Sequence, residues 1–244
     1  ESLVIFSDNF EIYSTAASPI RSNWSTQFTL GEGTIQIDNF SGNKAVRLYN
    51  ASTKKDRTVL GVTDIFDGQD VITLSFDSFN DEATQIVGNL GVSVGVGNVA
   101  SHLNQVRKVS LRPHIKADIW HHFDWIVNQS GAIVEYMVDG RSHSIAIGSA
   151  DLWCDGILVV DNGNDKPVKD YQHGDVTLID SFGWTVNKAE SADWRIDNVV
   201  VRDSPYVLSA LAGDTSHPVI TLKGDSIATI EAGTLYVDAG VKAN

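Results

Sequence analysis

The sequence predicts an all-β protein, a sandwich or jelly roll of antiparallel strands, and two observations lead to this prediction. First, short stretches of alternating or continuous apolar residues recur along the chain. Second, Gly, Asn and Asp separate these stretches, and no amphipathic pattern extends over three helical turns. The predicted strands comprise residues 71–76, 91–96, 106–111, 123–127, 133–138, 144–147, 157–160, 176–179 and 194–201.

The sequence around Asp139 and Gly140 predicts a hairpin. These two residues separate the predicted strands 133–138 and 144–147. An Asp-Gly pair tolerates the positive φ angles that tight turns require.

Composition and charge restrict the class of protein. The chain has 244 residues, of which 42% are hydrophobic, and this is globular composition. No apolar run approaches the ~18 residues of a membrane span, so we expect no membrane insertion. The net charge of −13 argues against nucleic-acid binding, which needs a basic face, and suits a secreted or cell-surface protein. The single Cys154 cannot form an internal disulfide, and we expect a buried, inert thiol.

A change of character near residue 203 predicts a domain boundary. We expect a β-sandwich domain at residues 1–203, a linker at 204–216 and a further segment at 217–244. In that last segment the pattern P-V-I-T-L-x-G-D, E-A-G and Y-x-D-A-G resembles the start of the immunoglobulin-like domains of bacterial surface and secreted proteins. The segment is too short to close a sandwich. We therefore expect a modular parent protein that continues beyond Asn244.

Motifs near both ends of the first domain carry a second resemblance. They are F-S-D-N-F-E at 6–11, Trp24, G-N-K-A-V at 42–46 and W-R-I-D-N-V-V-V at 194–201, with 119–128 and 136–140 between them. Together they resemble the concanavalin A-like and laminin-G-like jelly-roll domains of secreted carbohydrate-active proteins. The resemblance implies one convex and one concave sheet, with glycans bound on the concave face or its rim.

The same resemblance implies that the first and last strands lie side by side and share a structural calcium ion. Asp8, Glu11 and Asp197 could supply carboxylates, and the turn at Gly42 and Asn43 could supply carbonyl groups. Six to eight oxygen ligands are typical of Ca²⁺. Alternatively, Asp8 and Asp197 are turn residues or caps.

Residues 105–116, called here the cationic segment, contain no acidic residue. Their basic side chains are Arg107, Lys108, Arg112 and Lys116, together with His114. If Val109 and Leu111 point into the core, alternation places Lys108 and Arg112 on the opposite face. Such a face would suit a glycan that bears carboxylates or sulfates, because arginine pairs with both. Alternatively, the segment is an edge strand whose lysines prevent aggregation.

Tryptophan residues are candidates for stacking on sugar rings. Trp120, Trp125 and Trp194 occupy strand positions and are expected in the core. Trp24, Trp153 and Trp184 are the candidates for exposed platforms, and we include Trp153 and Trp184 among the predicted substrate-binding residues.

Catalysis is the less favoured possibility. Glycosidases need two flanking carboxylates, and the E-x-D-x-x-E strand motif of the laminarinase and carrageenase families is absent. A polysaccharide lyase could use an acid and a base from His114, His122, Tyr171 and His173, while Arg112 neutralises a uronate. Adjacent residues His121 and His122 point to opposite faces of a strand, so they cannot chelate one metal together.

Three hypotheses follow from the sequence. The preferred one is a monomeric carbohydrate-recognition module that binds an anionic polysaccharide. The second is a polysaccharide lyase that acts by β-elimination. The third is an adhesin or spacer domain without sugar chemistry.

Overall fold

Two compact units, Glu1–Leu208 and Ser209–Asn244, make up the chain. The structure, a computed structural model, describes residues 2–16, 24, 26–30, 33–40, 42–50, 57–64, 66–81, 88–97, 105–163, 178–186, 191–208, 220–222 and 241–243. Within these residues no helix has the length and apolar character needed to cross a membrane.

The described part of the first unit is built from antiparallel strands joined by turns and loops. They are β1 (Val4–Asp8), β2 (Thr26–Leu30), β3 (Thr34–Phe40), β4 (Asn43–Asn50), β5 (Arg57–Val62), β6 (Val71–Asn80), β7 (Leu90–Gly95), β8 (Gln105–Ser110), β9 (Trp120–Asn128), β10 (Val134–Val138), β11 (Arg141–Ile145), β12 (Ala150–Cys154), β13 (Ile157–Gly163), β14 (Ser181–Val186) and β15 (Ala192–Arg202). A 3-10 turn, Arg112–His114, follows β8.

These strands form two main sheets. The larger sheet has the order β13-β12-β9-β6-β15-β4-β3, and β1 pairs with β15 beside it. The smaller sheet has the order β2-β5-β14-β7-β8. The first strand of the unit therefore lies against the last one, as the family resemblance implied.

The core lies between the two sheets. In the larger sheet, Leu74 of β6 lies opposite Trp125 of β9, and both side chains point inward. They belong to one buried cluster with Phe182 and Trp184 of the smaller sheet. Strand alternation brings these apolar side chains to one face of each sheet, where burial stabilises the sandwich. The predicted all-β class with two antiparallel sheets is confirmed.

The β10–β11 hairpin forms at the predicted turn. Asp139 and Gly140 have φ angles of 49° and 75°, and the two strands pair from Val134–Ile145 to Val138–Arg141. Tyr136 and other apolar side chains of the hairpin pack against Trp153 of β12 in a second buried cluster. The hairpin thus covers part of the larger sheet on the face that points away from the main core.

Residues 204–208, predicted as the start of a linker, are bound to the larger sheet. Thr73 Oγ1 donates a hydrogen bond to the Ser204 carbonyl group at 2.7 Å. The backbone N–H of Leu208 donates to Asp124 at 2.8 Å. These contacts explain why the first unit extends to Leu208.

The second unit contains one described strand pair, β16 (Ile220–Leu222) with β17 (Val241–Ala243), which is antiparallel. Most of the segment predicted to begin an immunoglobulin-like domain lies outside the described residues. That assignment stays a prediction.

Candidate functional site

Charged and aromatic side chains share the outer face of the larger sheet, the face that points away from the core. On β4, Val46 and Leu48 point inward, so alternation gives Arg47 and Tyr49 outward positions, and the half-buried Tyr49 ring also packs against the main core cluster. On β15, Trp194 and Ile196 point inward, and Asp193 and Arg195 point outward. Register places Asp193 opposite Tyr49 and Arg195 opposite Arg47.

Asp193 holds both arginines of this face. Its side chain is fully buried, and it accepts hydrogen bonds from Arg47 Nε at 2.8 Å and from Arg47 Nη2 at 2.6 Å. Two parallel bonds of this kind fix the plane of a guanidinium group. Hydrogen bonding to Asp193 outweighs burial and raises the pKa of Arg47. Arg195 Nη1 lies 3.7 Å from the same carboxylate.

Two further carboxylates surround Arg195. Its Nε donates to Asp38 at 3.0 Å, and its Nη1 lies 3.5 Å from Asp81. Only 7% of the Arg195 side chain is exposed, so these ion pairs are shielded from solvent. The charges nearly balance, because two arginines face three aspartates.

Aromatic rings lie beneath and beside the guanidinium groups. Arg195 Cζ is 4.3 Å from the centre of the Phe40 ring, and Arg47 Cζ is 4.8 Å from that of Tyr49. The Phe79 ring bridges Phe40 and Trp120, with centroid distances of 4.7 Å and 5.5 Å. Phe40, Tyr49 and Trp120 are half-buried. We call this surface the arginine–aromatic face, and its residues are Asp38, Phe40, Arg47, Tyr49, Phe79, Asp81, Trp120, Asp193 and Arg195.

The arginine–aromatic face combines two kinds of contact. Half-exposed rings offer apolar surface on which the C–H face of a sugar could stack. Neighbouring guanidinium and carboxylate groups offer hydrogen-bond donors and acceptors for hydroxyl groups. Both kinds of group are fixed on strands, which hold them in position more firmly than loops do.

His122 lies on the same outer face, within a polar network. Its Nδ1 donates to Asp77 at 2.6 Å, and its Nε2 lies 3.3 Å from Asp124, which also accepts a bond from Ser75 at 2.5 Å. Burial lowers the pKa of His122, but hydrogen bonds to Asp124 and Asp77 outweigh burial and raise it to about 9. His122 is therefore a cation at neutral pH and has no free site to accept a proton, which disfavours its predicted role as a lyase base.

The other predicted catalytic residues do not form a site with His122 in the described part of the chain. His114 is half-buried in the 3-10 turn, and its carbonyl group accepts a contact from Cys154 Sγ at 3.5 Å. Tyr171 and His173 lie outside the described residues.

Asp8, a predicted calcium ligand, caps a turn. Its carboxylate accepts hydrogen bonds from Phe10 N at 2.8 Å, from Tyr13 Oη at 2.8 Å and from Trp24 Nε1 at 2.7 Å. This is the alternative interpretation of Asp8, in which an aspartate side chain binds the backbone two residues further on.

Other predicted calcium ligands lie close together. Asn43 Nδ2 donates to the Asp197 carboxylate, and Gly42 forms the preceding turn with a φ of 89°. Glu11 Oε1 accepts a bond from Lys44 N at 2.9 Å, beside this turn. Burial, together with the charges of Asp77 and Glu11, outweighs the hydrogen bonds from Asn198 and Asn43 and raises the pKa of Asp197 to about 6. The carboxylates of Glu11 and Asp197 are thus near enough to repel each other.

The cationic segment divides between the two faces of β8. Val109 and Leu111 are in the core, as expected, and the Lys108 side chain points outward across Gly91 of β7. Arg107 points inward and is only 3% exposed, so its prediction as a substrate-binding residue is wrong. Its guanidinium group donates to the carbonyl groups of residues 106 and 148, and burial lowers its pKa.

Two cations of the segment remain accessible. Arg112 and Lys116 are exposed in the turn after β8. Within the described residues β8 pairs with β7 alone, so this turn follows an edge strand of the smaller sheet. It belongs to a different sheet from the arginine–aromatic face.

The tryptophan predictions require correction. Trp24, Trp153 and Trp184 are 1%, 4% and 0% exposed, so none is an exposed platform. Trp184 packs edge-on against Phe76 in the main core, while the β10–β11 hairpin covers Trp153, whose Nε1 donates to Tyr136 Oη at 2.9 Å.

Trp120 is the tryptophan that contributes to the candidate site. It was expected in the core with Trp125 and Trp194, which are indeed buried. A signal for its true position was available, because Trp120 has the same strand parity as the polar residues His122 and Asp124. Side chains with that parity point away from the core.

Comparisons with known proteins give no family assignment, since no family model and no curated protein matches the chain. Solved structures that match the chain include a mutant family 29 carbohydrate-binding module complexed with mannohexaose (TM-score 0.40, 11% identity, 84% of this chain and 94% of that chain). The CBM22-1 xylan-binding domain from Paenibacillus barcinonensis Xyn10C has a TM-score of 0.36 at 10% identity, over 84% of this chain and 97% of that one. The T. cruzi calreticulin globular domain has a TM-score of 0.40 at 12% identity, over 83% and 89%.

Proposed function

We propose that the protein binds a polysaccharide and that the arginine–aromatic face is its binding surface. The observation that carries this proposal is that Phe40, Tyr49 and Trp120 are half-buried on one sheet face, next to two guanidinium groups held by a buried aspartate. Rings that are neither fully buried nor mobile are suited to stacking on sugars. The location on a concave sheet stays a prediction of the family resemblance.

Preorganisation supports a role in binding. Arg47 and Arg195 are already fixed by ion pairs and by the rings beneath them, so little side-chain entropy remains to be lost when a ligand binds. Tyr49 has only two side-chain torsions and gives a large contact area at low entropic cost. The face is therefore suited to bind a ligand without rearrangement.

Whether the bound glycan is neutral or anionic depends on which surface of the protein binds it. The arginine–aromatic face has two arginines and three aspartates, so we propose an uncharged polysaccharide as its main ligand. The anionic glycan predicted from the sequence is a second candidate, because Arg112 and Lys116 are exposed and could bind carboxylates or sulfates. Secretion or display at a cell surface would bring the protein to either kind of polymer.

Affinity gel electrophoresis with neutral mannan, xylan and β-glucan, and with acidic pectate and alginate, tests the proposal. We expect Tyr49→Ala and Trp120→Ala each to weaken binding to a neutral polymer at least tenfold, which corresponds to ~1.4 kcal/mol per ring. The matched control is Arg112→Ala with Lys116→Ala, which should leave that binding unchanged.

The alternatives give different results in the same experiment. The protein could instead be retained on acidic polymers, with this binding lost in Arg112→Ala with Lys116→Ala and kept in Tyr49→Ala. That result would contradict binding by the arginine–aromatic face and indicate the cationic segment. Formation of an unsaturated product, detected by its ultraviolet absorbance, would indicate a lyase. No retention on any polymer would favour the adhesin or spacer hypothesis.

We also propose that a structural calcium ion binds between the turn at Gly42 and strand β15. Glu11, Asn43 and Asp197 would hold it, with a carbonyl group of the turn. The donor set fits, because Ca²⁺ prefers carboxylate and amide oxygens, and rotation of the Asn43 amide exchanges its nitrogen for its oxygen. A bound cation would also relieve the repulsion between Glu11 and Asp197.

Thermal unfolding with and without calcium tests this site. At a Ca²⁺ concentration of 100 times the Kd, the ion should add about 2.7 kcal/mol of stability, which raises Tm by roughly 5–10 °C in a domain of this size. Asp197→Asn should remove the response to Ca²⁺, and Asp67→Asn, at an exposed aspartate outside the cluster, should retain it. An equal response in Asp197→Asn would contradict the site.

A further inference from the structure

Three metal-binding types of side chain meet where the start of β9 faces the end of β12. His121 Nδ1 lies 2.6 Å from Asp155 Oδ2, and Cys154 Sγ lies 3.8 Å from both atoms. The ligand atoms of these three side chains all lie within 4.8 Å of one another. Within the described residues, no other group of three or more His, Cys, Asp or Glu side chains is this close. Neither the proposed glycan surface nor the proposed calcium site uses these residues.

The fold brings the three residues together without a local motif. His121 and Cys154 both point inward on adjacent strands and are 6% and 5% exposed. Asp155 follows in a tight turn with a φ of 51°. This turn directs the carboxylate back across β9, where Oδ1 accepts a hydrogen bond from His122 N at 2.8 Å.

We propose that His121, Cys154 and Asp155 bind a divalent transition-metal ion such as Zn²⁺. In tetrahedral zinc sites, ligand bond lengths of about 2.0–2.3 Å place the sulfur about 3.6 Å from nitrogen or oxygen ligands and nitrogen about 3.4 Å from oxygen. The two sulfur distances already approach this geometry. For both atoms to bind one metal ion, the distance between His121 Nδ1 and Asp155 Oδ2 has to increase, and an increase of less than about 1 Å is sufficient. This movement is available because 47% of the Asp155 side chain is exposed.

The surroundings of His121 support a metal on its Nδ1 atom. Its Nε2 lies 2.9 Å from Lys116 N and 3.1 Å from Lys116 O. Without metal, Nδ1–H donates to Asp155 and Nε2 accepts from Lys116 N–H. With metal on Nδ1, the proton moves to Nε2 and donates to Lys116 O. Metal-bound histidines commonly donate their second ring N–H to such a carbonyl group, and this bond orients the ring.

Charge and ligand type favour zinc over calcium or magnesium. On binding, the Cys154 S–H bond breaks, a bond between sulfur and the metal forms, and the proton leaves to solvent. The resulting thiolate and the Asp155 carboxylate neutralise the two positive charges of the ion. Thiolate and imidazole ligands favour Zn²⁺, whereas Ca²⁺ and Mg²⁺ prefer oxygen. Solvent reaches the cluster through Asp155, where the fourth coordination position would be open to water.

Titration of the reduced, full-length protein with Co²⁺ tests the site. We expect one equivalent to give an absorption band from thiolate-to-cobalt charge transfer, which Zn²⁺ abolishes and Ca²⁺ does not. One proton per metal ion should appear in a weakly buffered solution. Cys154→Ala should eliminate the band and lower the Zn²⁺ affinity at least tenfold, and His121→Gln should lower it similarly.

Two controls separate this site from the neighbouring histidine and from the proposed calcium site. His122→Gln changes the neighbouring histidine, which points to the opposite face, and should retain the band. Asp197→Asn should also retain it, because the proposed calcium site is separate. Absence of a charge-transfer band, or a Zn²⁺ affinity unchanged in Cys154→Ala, would overturn the proposal. Circular dichroism of each variant confirms that a loss of binding does not arise from unfolding.

Discussion

Replacing Asp193 with alanine is expected to lower the free energy of unfolding by about 3–5 kcal/mol and to weaken polysaccharide binding more than tenfold. The carboxylate is fully buried and holds Arg47 by two hydrogen bonds, with Arg195 nearby. Its removal leaves Arg47 without its hydrogen-bonded partner, whereas Arg195 keeps Asp38 and Asp81. The cost comes mainly from the uncompensated charge of Arg47, rather than from the loss of a favourable pair.

Binding and stability should decrease together in Asp193→Ala, because the same carboxylate fixes the guanidinium groups beneath the proposed ligand. Urea unfolding measures the stability, and affinity electrophoresis with the neutral polymer measures the binding. Asp193→Asn keeps the shape of the side chain and one hydrogen-bond acceptor. Its stability and its binding should therefore lie between those of the wild type and Asp193→Ala. The paired change of Arg47→Met with Asp193→Leu should recover part of the stability, but not the binding. An Asp193→Ala protein as stable as the wild type would contradict the role of this carboxylate.

The fold was predictable because the inward face of each strand is strongly apolar. Alternation along 71–76 and 123–127 was sufficient to identify β6 and β9, and Asp139 with Gly140 identified the hairpin. Both features are local. Each can be recognised within fewer than ten residues of sequence, because side chains of a strand alternate between its two faces with a period of two residues.

The location of the exposed aromatic residues was not predictable in the same way. Alternation shows which residues share a face, but it does not show whether another element covers that face. Trp153 points away from the main core and is nevertheless buried, because the β10–β11 hairpin lies over it. Trp120 has an outward position that stays half-open. The difference between the two arises from tertiary packing.

The ion pairs of the candidate site depend on contacts distant in the sequence. Arg47 and Asp193 are separated by 146 positions and meet because β4 and β15 are neighbours in the sheet. A cluster of basic residues such as the cationic segment is much easier to see in a sequence. Arg107 shows the limit of such a pattern, since composition alone does not reveal that its guanidinium group is buried.

His122 is expected to stabilise the protein at pH 6 and to lose this effect by about pH 10. Its pKa rises from 6.5 to about 9 on folding, because hydrogen bonds to Asp124 and Asp77 outweigh burial. A group whose folded-state pKa is raised contributes fully below its unfolded pKa, here 6.5, and loses that contribution as the pH rises through 9. The shift corresponds to at most about 3 kcal/mol, and partial exposure of the side chain reduces it to about 2 kcal/mol.

The difference in unfolding free energy between the wild type and His122→Gln isolates this effect. Urea unfolding at pH 6, 8 and 10 should give a difference of about 2 kcal/mol at pH 6 that is already clearly smaller at pH 8 and nearly absent at pH 10. Titration of Asp197 near pH 6 occurs in both proteins and so cancels to first order. Asp77→Asn removes one of the two acceptors and should move the decline to lower pH, because a neutral amide stabilises the imidazolium group less than a carboxylate does. A difference that is the same at pH 6 and pH 10 would mean that His122 acts through packing and not through its charge.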